Sequence, residues 1–463
     1  MRIAIWSESK WALARIHSDI ARILQNVNKD YEFEFFDWGR IEHSQRFFQT
    51  YDTFDIIVGN TAILFSPVEM KFMHHLPMKY LARCLVILHC PVLNHGTFTE
   101  KILTNEYSIF TGVSPSCCLT LAETLNAPVP WTPFGVSTEL FPKRDVPKQL
   151  RIAGFVGRTN LKGLNIFESI CKRTNLEPRT LSGFDYAANS NIYNNIDILI
   201  CCSPFEAGPL GNFEAAALGI PVLSTKVGNW SFVKTAKFFD TEDEAVDIIT
   251  RWQANGTFVP YSSSLQQEVR NNWSNETLIP KTLGRIIDSF GHSIDLLDIG
   301  ANYIGTSRSI HVDPIRFRND HNGTLEQVAI IETAMEPVAY YTDDQEPVWI
   351  RGCISVGHPH PSLIAGKHTI KTVPVIQTTL DALVKKHKLR FIETVSIVVE
   401  GYDTIIAKAL LQLILSRTVF VQTVKMLTNS LHSPDEILDI IELFTSNGFS
   451  VSTGNEITVF TAK

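Results

Sequence analysis

Residues 203–229, SPFEAGPLGNFEAAALGIPVLSTKVGN, carry two glutamates, Glu206 and Glu214, around a turn-rich Gly208, Pro209, Leu210, Gly211, Asn212. The alanine-rich FEAAALG reads as a helix, and GPLGN as the loop that feeds its N-terminus. Short apolar runs of strand type flank the segment, IDILICCS (Ile196 to Ser203) and IPVLSTKVG (Ile220 to Gly228). The pattern is a strand–loop–helix–strand unit of a parallel α/β sheet. Ligands of such sheets bind beyond the carboxyl ends of the strands, where this loop lies.

Backbone N–H groups at a helix start hold a phosphate while carboxylates reach sugar hydroxyls, so the loop has the chemistry of a nucleotide-sugar site. Acids near a helix start also suit the macrodipole of any surface helix, and the flanking strands separate the two readings. Upstream, RIAGFVGRTNLKG sets a strand, Arg151 to Val156, before the cations Arg158 and Lys162 and a turn glycine, Gly163. Breaking a glycosyl–phosphate bond builds negative charge on the departing diphosphate, and fixed cations stabilise that charge more than the ground state. Arg offers a fork to two oxygens, and Lys a point charge.

Three alternating series follow one another along the chain. From Met1 to about Phe134, the runs RIAIW, FEFFDW, FDIIVG, CLVILH and SIFTGV read as strands, with WALARIHSDIARILQ and PSCCLTLAETL among the connecting helices. WTPFGVSTELFPK, with Pro133, Gly135 and Pro142, reads as a linker. The second series covers about Arg151 to Pro280 and includes a short strand AKFFD; the helix LIPKTLGRIIDSF closes it. At Ser293 the pattern restarts with IDLLDIGAN, continues through SRSIHVDP, QVAIIET, TVSIVVEG and TVFVQTV, and ends in two strand patterns joined around Gly454 and Asn455 that make a hairpin. The expected fold class is α/β, with domains at 1–135, 136–291 and 292–463.

The chain has 463 residues and a net charge of −7, which argues against non-specific nucleic-acid binding. The first residues, MRIAIWSESKWALARIHSDIARIL, read as a strand and an amphipathic helix with no signal-peptide core. No run approaches the roughly 18 apolar residues of a membrane span, so the expected location is the cytoplasm. None of the 8 cysteines stands in a C-x2-C pair, and buried reduced thiols are expected.

Glu206 and Glu214 with seven residues between them, followed by EAAALGIPVLST, resemble the donor-site signature of retaining glycosyltransferases of family 4. That resemblance implies two Rossmann-like domains in the GT-B arrangement over roughly residues 1–290. PFGVSTELFPK is similar to the family's interdomain linker and FVGRTNLKG to its glycine-arginine…lysine-glycine segment. Carried over, Arg158 and Lys162 hold the donor diphosphate and Glu206 contacts the transferred sugar. Gly208, Pro209, Leu210, Gly211 and Asn212 lie over the phosphates, and Glu214 binds the ribose hydroxyls. His89, at the end of VILHCP, resembles the family's acceptor-side histidine. The family implies transfer with retention, in which the departing phosphate takes the acceptor proton. Its partners are a nucleotide sugar and a glycan, lipid-linked or protein acceptor, and peripheral membrane contact stays open. No DxD motif follows a strand, so no metal is expected; Asp343-Asp344 and TEDE read as solvated charge. The family's glycine-rich loop after the first strand is replaced by WSESKWA, so acceptor binding differs and the family's acceptor does not carry over.

LLDIGANYIGTS, with IHVDP, VIQTTLDALV and VSIVVEGYDTIIAKAL after it, resembles FkbM-type sugar O-methyltransferases over about residues 293–463. That implies a class I methyltransferase-like domain with S-adenosylmethionine as cofactor. Asp298, Gly300 and Asn302 would line the cofactor, Asp313 would bind its ribose, and Glu400 would stand by the reaction centre. Two features depart from the family. Asp298 to Asp313 is short for a helical crossover, and Val398 stands where an acid is usual. The domain is thus expected either to methylate a glycan hydroxyl or to serve as a binding or scaffold module. His358-Pro359-His360-Pro361 reads as an extended loop rather than a metal site.

Overall fold

The structure, a computed structural model, describes residues 1–7, 12–37, 39–60, 78–89, 108–157, 160–181, 189–300, 308–314, 323–332, 336–342, 344, 355–356, 359–399, 402–428, 432–454 and 456–462. Contacts divide the chain into two compact units, Met1–Leu76 with Arg83–Asp288, and Pro77–Ala82 with Ser289–Lys463.

The first unit contains two five-stranded sheets. β1 (Arg2–Ser7), β2 (Glu32–Asp37), β3 (Ile56–Asn60), β4 (Cys84–Leu88) and β5 (Ile109–Gly112) lie in the order β2-β1-β3-β4-β5, all parallel. Ile3 to Trp6 and Cys84 to Leu88 are unbroken buried runs because helices cover both faces of a parallel sheet. The helix Ala12–Val27 turns Ile16, Ile20, Ile23 and Leu24 inward, at the spacing of one helical face.

The second sheet comprises β6 (Ile152–Val156), β7 (Glu177–Leu181), β8 (Ile198–Cys201), β9 (Val222–Ser224) and β10 (Lys237–Phe238), in the order β10-β9-β8-β6-β7, again parallel. β7 (EPRTL) was not expected, and the reason is physical: it is an edge strand with mostly solvated side chains, so it lacks the apolar run by which a central strand is read. Each sheet has its second strand outside its first, so the order reverses once. Such a reversal opens a crevice at the carboxyl ends, between β1 and β3 in one sheet and between β6 and β8 in the other.

The expected linker joins the sheets. Trp131 bridges to Gly112 of the first sheet, and Val136 bridges to Ser274. A Cβ on Gly135 would lie 1.8 Å from the Trp273 carbonyl oxygen, so only glycine permits that approach. The chain returns from there onto the first helix. Asn275 Nδ2 donates to Asp19 at 3.0 Å, and Arg22 donates to Asp19, Ser137 and Glu276 at 3.0, 2.8 and 3.3 Å. TEDE opens the helix Glu242–Asn255: Thr241 caps it by accepting from the Glu244 N–H at 3.2 Å, and three acids sit in its first turn, where the dipole favours them.

The second unit contains β11 (His292–Ile299), β12 (Ser309–Val312), β13 (Thr324–Glu326), β19 (Leu389–Ile397), β20 (Phe420–Leu427), β21 (Phe449–Thr453) and β22 (Ile457–Ala462). Among the described residues they form one sheet in the order β13-β12-β11-β19-β20-β22-β21. The terminal hairpin is present, and its last strand inserts antiparallel between β20 and β21. Two small sheets pair β14 (Ala329–Ile330) with β18 (Gln377–Thr378), and β15 (Val338–Tyr341) with β16 (Ser355–Val356) and β17 (Lys371–Pro374). Asp344, expected as solvated charge, keeps an exposed side chain and also accepts from His368 Nδ1 at 2.9 Å and from the Thr369 N–H at 3.1 Å. Of the histidine–proline run, His360 caps the helix Pro361–Ala365 by accepting from the Ser362 N–H at 3.1 Å. The described cysteines, Cys84, Cys117, Cys118, Cys171, Cys201 and Cys202, carry no disulfide. No helix among the described residues is long and apolar enough to cross a membrane.

Candidate active site

The crevice between β6 and β8 brings together residues separated by more than forty positions. Gly163 adopts a left-handed φ of +81°, and a Cβ there would lie 2.3 Å from the Cys202 carbonyl oxygen. The loop after β6 therefore presses on the end of β8. That contact delivers Lys162 to Glu206, and their side chains form an ion pair on the half-exposed floor of the crevice. Arg158 lies outside the described residues.

Glycine sets the other side of the loop as well. Gly228 has φ +45°, and a Cβ on it would stand 2.2 Å from the Ala207 and 2.4 Å from the Glu206 carbonyl oxygens. The next residue, Asn229, donates its backbone N–H to Ala207 at 3.0 Å. Gly228→Ala combines a strained φ with a backbone clash, so it should cost roughly 1–3 kcal/mol and displace Glu206. Thermal denaturation checks this, with a lowered melting temperature expected for the variant.

The helix begins earlier than expected, spanning Leu210–Leu218, so Leu210, Gly211 and Asn212 form its first turn and only Gly208 and Pro209 precede it. Gly211 packs flat on β6: a Cβ there would meet Val156 at 2.8 Å. Asn212 is buried and donates from Nδ2 to Ser224 Oγ at 3.1 Å, so its side chain braces the helix start instead of pointing out over the loop.

Glu214 lies in the second turn and is 4% exposed. Its Oε1 is held by Arg15 from the helix Ala12–Val27, and its Oε2 accepts from Tyr193 Oη at 2.6 Å. Arg15 also lies 5.5 Å over the Phe141 ring. Burial pushes the Tyr193 phenol up, so it stays a donor at neutral pH. Both carboxylate oxygens are thus engaged within the protein, each with one donor, and the side chain is almost wholly enclosed. Arg15 and Tyr193 were not among the expected site residues.

His89 shares a cavity with the loop at Gly208. A cavity of about 120 Å³ is lined by His89, Ile16, Val113 and Phe134 together with Gly208, Leu210 and Asn229. His89 stacks on Phe134 with ring centroids 6.1 Å apart, and His17 stands edge-on to it at 5.8 Å. Burial, with His17 close by, holds the His89 imidazole well below the ordinary histidine range, so it is neutral at physiological pH. His17 approaches Ser7 Oγ at 2.5 Å through Nδ1, and burial lowers its pKa to about 4.

The folded His17 thus binds its proton only near pH 4, well below its ordinary 6.5. Between pH 6.5 and about 4 the unfolded chain binds more protons than the folded one, so stability is full above 6.5 and is lost as pH falls through this window. The loss should reach on the order of 3 kcal/mol, and His17→Gln should flatten the melting-temperature profile between those limits.

In the second unit, Asp298 ends β11 fully buried and meets His311 Nδ1 of β12 at 3.2 Å. Ser396 of β19, also fully buried, stands opposite Asp298 in the register. Gly300 follows with φ +105°, its N–H donating to Val312, and the Asp313 N–H donates to Glu326. Asn302 and Glu400 lie outside the described residues. Asp298 and Gly300 are therefore brought beside the start of the β11–β12 connection, with the acid facing His311. No cluster of three or more potential metal ligands occurs among the described residues.

No protein-family model matches the chain. No curated protein matches it in sequence. Solved structures with a similar fold include sucrose-phosphate synthase from Thermosynechococcus elongatus (14% identity, 62% of this chain and 98% of that one, TM-score 0.49). The lipopolysaccharide outer core galactosyltransferase WaaB aligns at 13% identity over 62% of this chain and 99% of its own, with a TM-score of 0.41. AviGT4, a glycosyltransferase involved in avilamycin A biosynthesis, aligns at 14% identity over 63% and 97%, with a TM-score of 0.40.

Proposed function

We propose that the first unit is a glycosyltransferase of GT-B type that transfers a sugar, with retention, from a nucleotide-diphosphate sugar to a glycan, lipid or protein acceptor. The observation that carries this reading is the meeting of Lys162 and Glu206 in the crevice of the second sheet, beside the helix start at Leu210. Lys162 stands where a fixed cation neutralises a departing diphosphate, and Arg158 is assigned the same task from its place in the loop. In the free protein Glu206 occupies the Lys162 ammonium. On this reading the donor diphosphate takes over that partner, and Glu206 turns to the sugar hydroxyls. His89, neutral and beside the donor loop, serves as a hydrogen-bonding partner of the sugar. Glu214, held by Arg15 and Tyr193, is assigned to the ribose hydroxyls through the lone pairs those two donors leave. Incubating the protein with a panel of UDP- and GDP-hexoses and following release of UDP or GDP tests the reading, with Glu206→Gln and Arg158→Ala as controls. Release from at least one donor, lost in both variants, is expected; undiminished release in both would remove these residues from the site.

For the second unit, one observation favours the reading as a methyltransferase-like module without methyl transfer. The order of its sheet and the inserted antiparallel strand support a class I methyltransferase-like ancestry. However, only residues 300–308 connect the parallel strands β11 and β12, fewer than the dozen or more a helical crossover takes. Asp298, the acid assigned to the cofactor, is enclosed against His311. Calorimetric titration of the full chain with S-adenosylmethionine should give no heat of binding. Saturable binding with a one-to-one stoichiometry would restore the enzymatic reading.

A further inference from the structure

The cavity beside the donor loop has a specific chemical demand. Asn229 is fully buried, and its amide orientation is fixed because Nδ2 donates to the Val113 carbonyl at 2.7 Å. Its Oδ1 is therefore the acceptor left over, and it is buried with no hydrogen-bond donor. His89 Nε2 is enclosed in the same condition. Both residues line the same cavity, whose other described walls are Ile16, Val113, Phe134, Gly208 and Leu210. Two buried polar atoms without partners in one cavity are a cost that a ligand removes.

The walls define that ligand. None of the described lining residues carries a charged side chain, so a carboxylate on the sugar entering the cavity would lose its hydration without a counter-charge from them. A volume of about 120 Å³ is below the roughly 300 Å³ at which ligand pockets begin, so it takes one group of a ligand and not a whole nucleotide sugar. A hydroxyl can serve both atoms: its one O–H donates to Asn229 Oδ1, and its oxygen accepts from His89 in the tautomer that carries its proton on Nε2.

We propose that Asn229 is a specificity-determining residue for the transferred sugar, selecting a donor that carries a neutral hydroxyl at the position entering this cavity and rejecting the deoxy sugar and the uronate. This rests on the reading of the first unit as a glycosyltransferase. The role is built into the backbone, because the left-handed Gly228 and the Asn229 N–H bond to Ala207 hold the amide beside Gly208.

The test uses the full chain, a panel of UDP- and GDP-hexoses, and the single-deoxy analogues of whichever donor is turned over. In the wild type, removal of one particular hydroxyl should lower kcat/KM by about 10-fold to 100-fold, because it leaves Oδ1 buried and unpaired. In Asn229→Ala that penalty should shrink to about threefold or less, while the penalties for the other hydroxyls stay as they were. Binding of the nucleoside diphosphate alone should be retained by the variant, which also reports that it is folded. The same penalty in Asn229→Ala, or a wild type indifferent to every single deoxygenation, would overturn the proposal while leaving the glycosyltransferase reading intact. Should the variant not fold, the wild-type deoxy series and rejection of UDP-glucuronic acid against UDP-glucose decide the matter. A wild type that turns over no donor and binds no nucleoside diphosphate overturns the underlying reading, and this proposal with it.

Discussion

Lys162→Ala should lower the rate of sugar transfer by about 10²–10³-fold, the scale on which one fixed group stabilising transition-state charge is felt. The ammonium lies at the carboxyl end of β6, and Gly163 locks its loop onto Cys202. The charge it meets grows as the glycosyl–phosphate bond breaks, so kcat should fall more than KM rises. Removing the ammonium also leaves Glu206 as an unneutralised carboxylate where the proposed reading seats the diphosphate, which adds repulsion to the lost attraction. Lys162→Arg should recover only part of the rate, since the planar fork does not reproduce a compact point charge on a short loop. Steady-state kinetics with the preferred donor separates these outcomes. A variant with unchanged kcat would remove Lys162 from the reaction.

Arg15→Ala should destabilise the first unit by about 3–5 kcal/mol, because it strands the buried Glu214 carboxylate with Tyr193 alone. A domain is stable by only about 5–15 kcal/mol, so this single change should bring the unit close to unfolding near body temperature. Replacing both partners with apolar residues of similar volume, Arg15→Met with Glu214→Leu, should recover most of the loss, since no buried charge is left uncompensated. Urea denaturation of the two single variants and the double variant gives the coupling. If the double variant is as unstable as Arg15→Ala, the pair is not the source of the effect. The double variant should remain inactive despite its recovered stability, because it has lost the carboxylate assigned to the ribose.

Much of the fold was legible because parallel strands buried on both faces leave unbroken apolar runs. CLVIL and IDILIC could be read as strands for that reason, whereas EPRTL, solvated at a sheet edge, could not. The small strands of the second unit are two to four residues long and carry too little pattern to be read. The approach of Lys162 to Glu206 was foreseeable from two strand-end loops with glycines at fixed places. Arg15 was not, because an arginine on an amphipathic helix reads as a solvated face until the opposing sheet is placed against it. Asn229 was likewise hidden at the end of an apolar run. Only the positive φ of Gly228 turns it into the cavity, and a sequence does not display φ. Asn212 shows the converse, a loop residue by pattern whose side chain braces Ser224.

The most direct test is the thermal stability of the full chain with saturating UDP or GDP, compared between wild type and Lys162→Ala. A ligand at 100 times its dissociation constant adds about 2.7 kcal/mol, so the wild-type melting temperature should rise with one of the two nucleotides. Lys162→Ala should show no rise at the same concentration. No shift of the wild type with either nucleotide, or an equal shift in the variant, would contradict a diphosphate site in the crevice between β6 and β8.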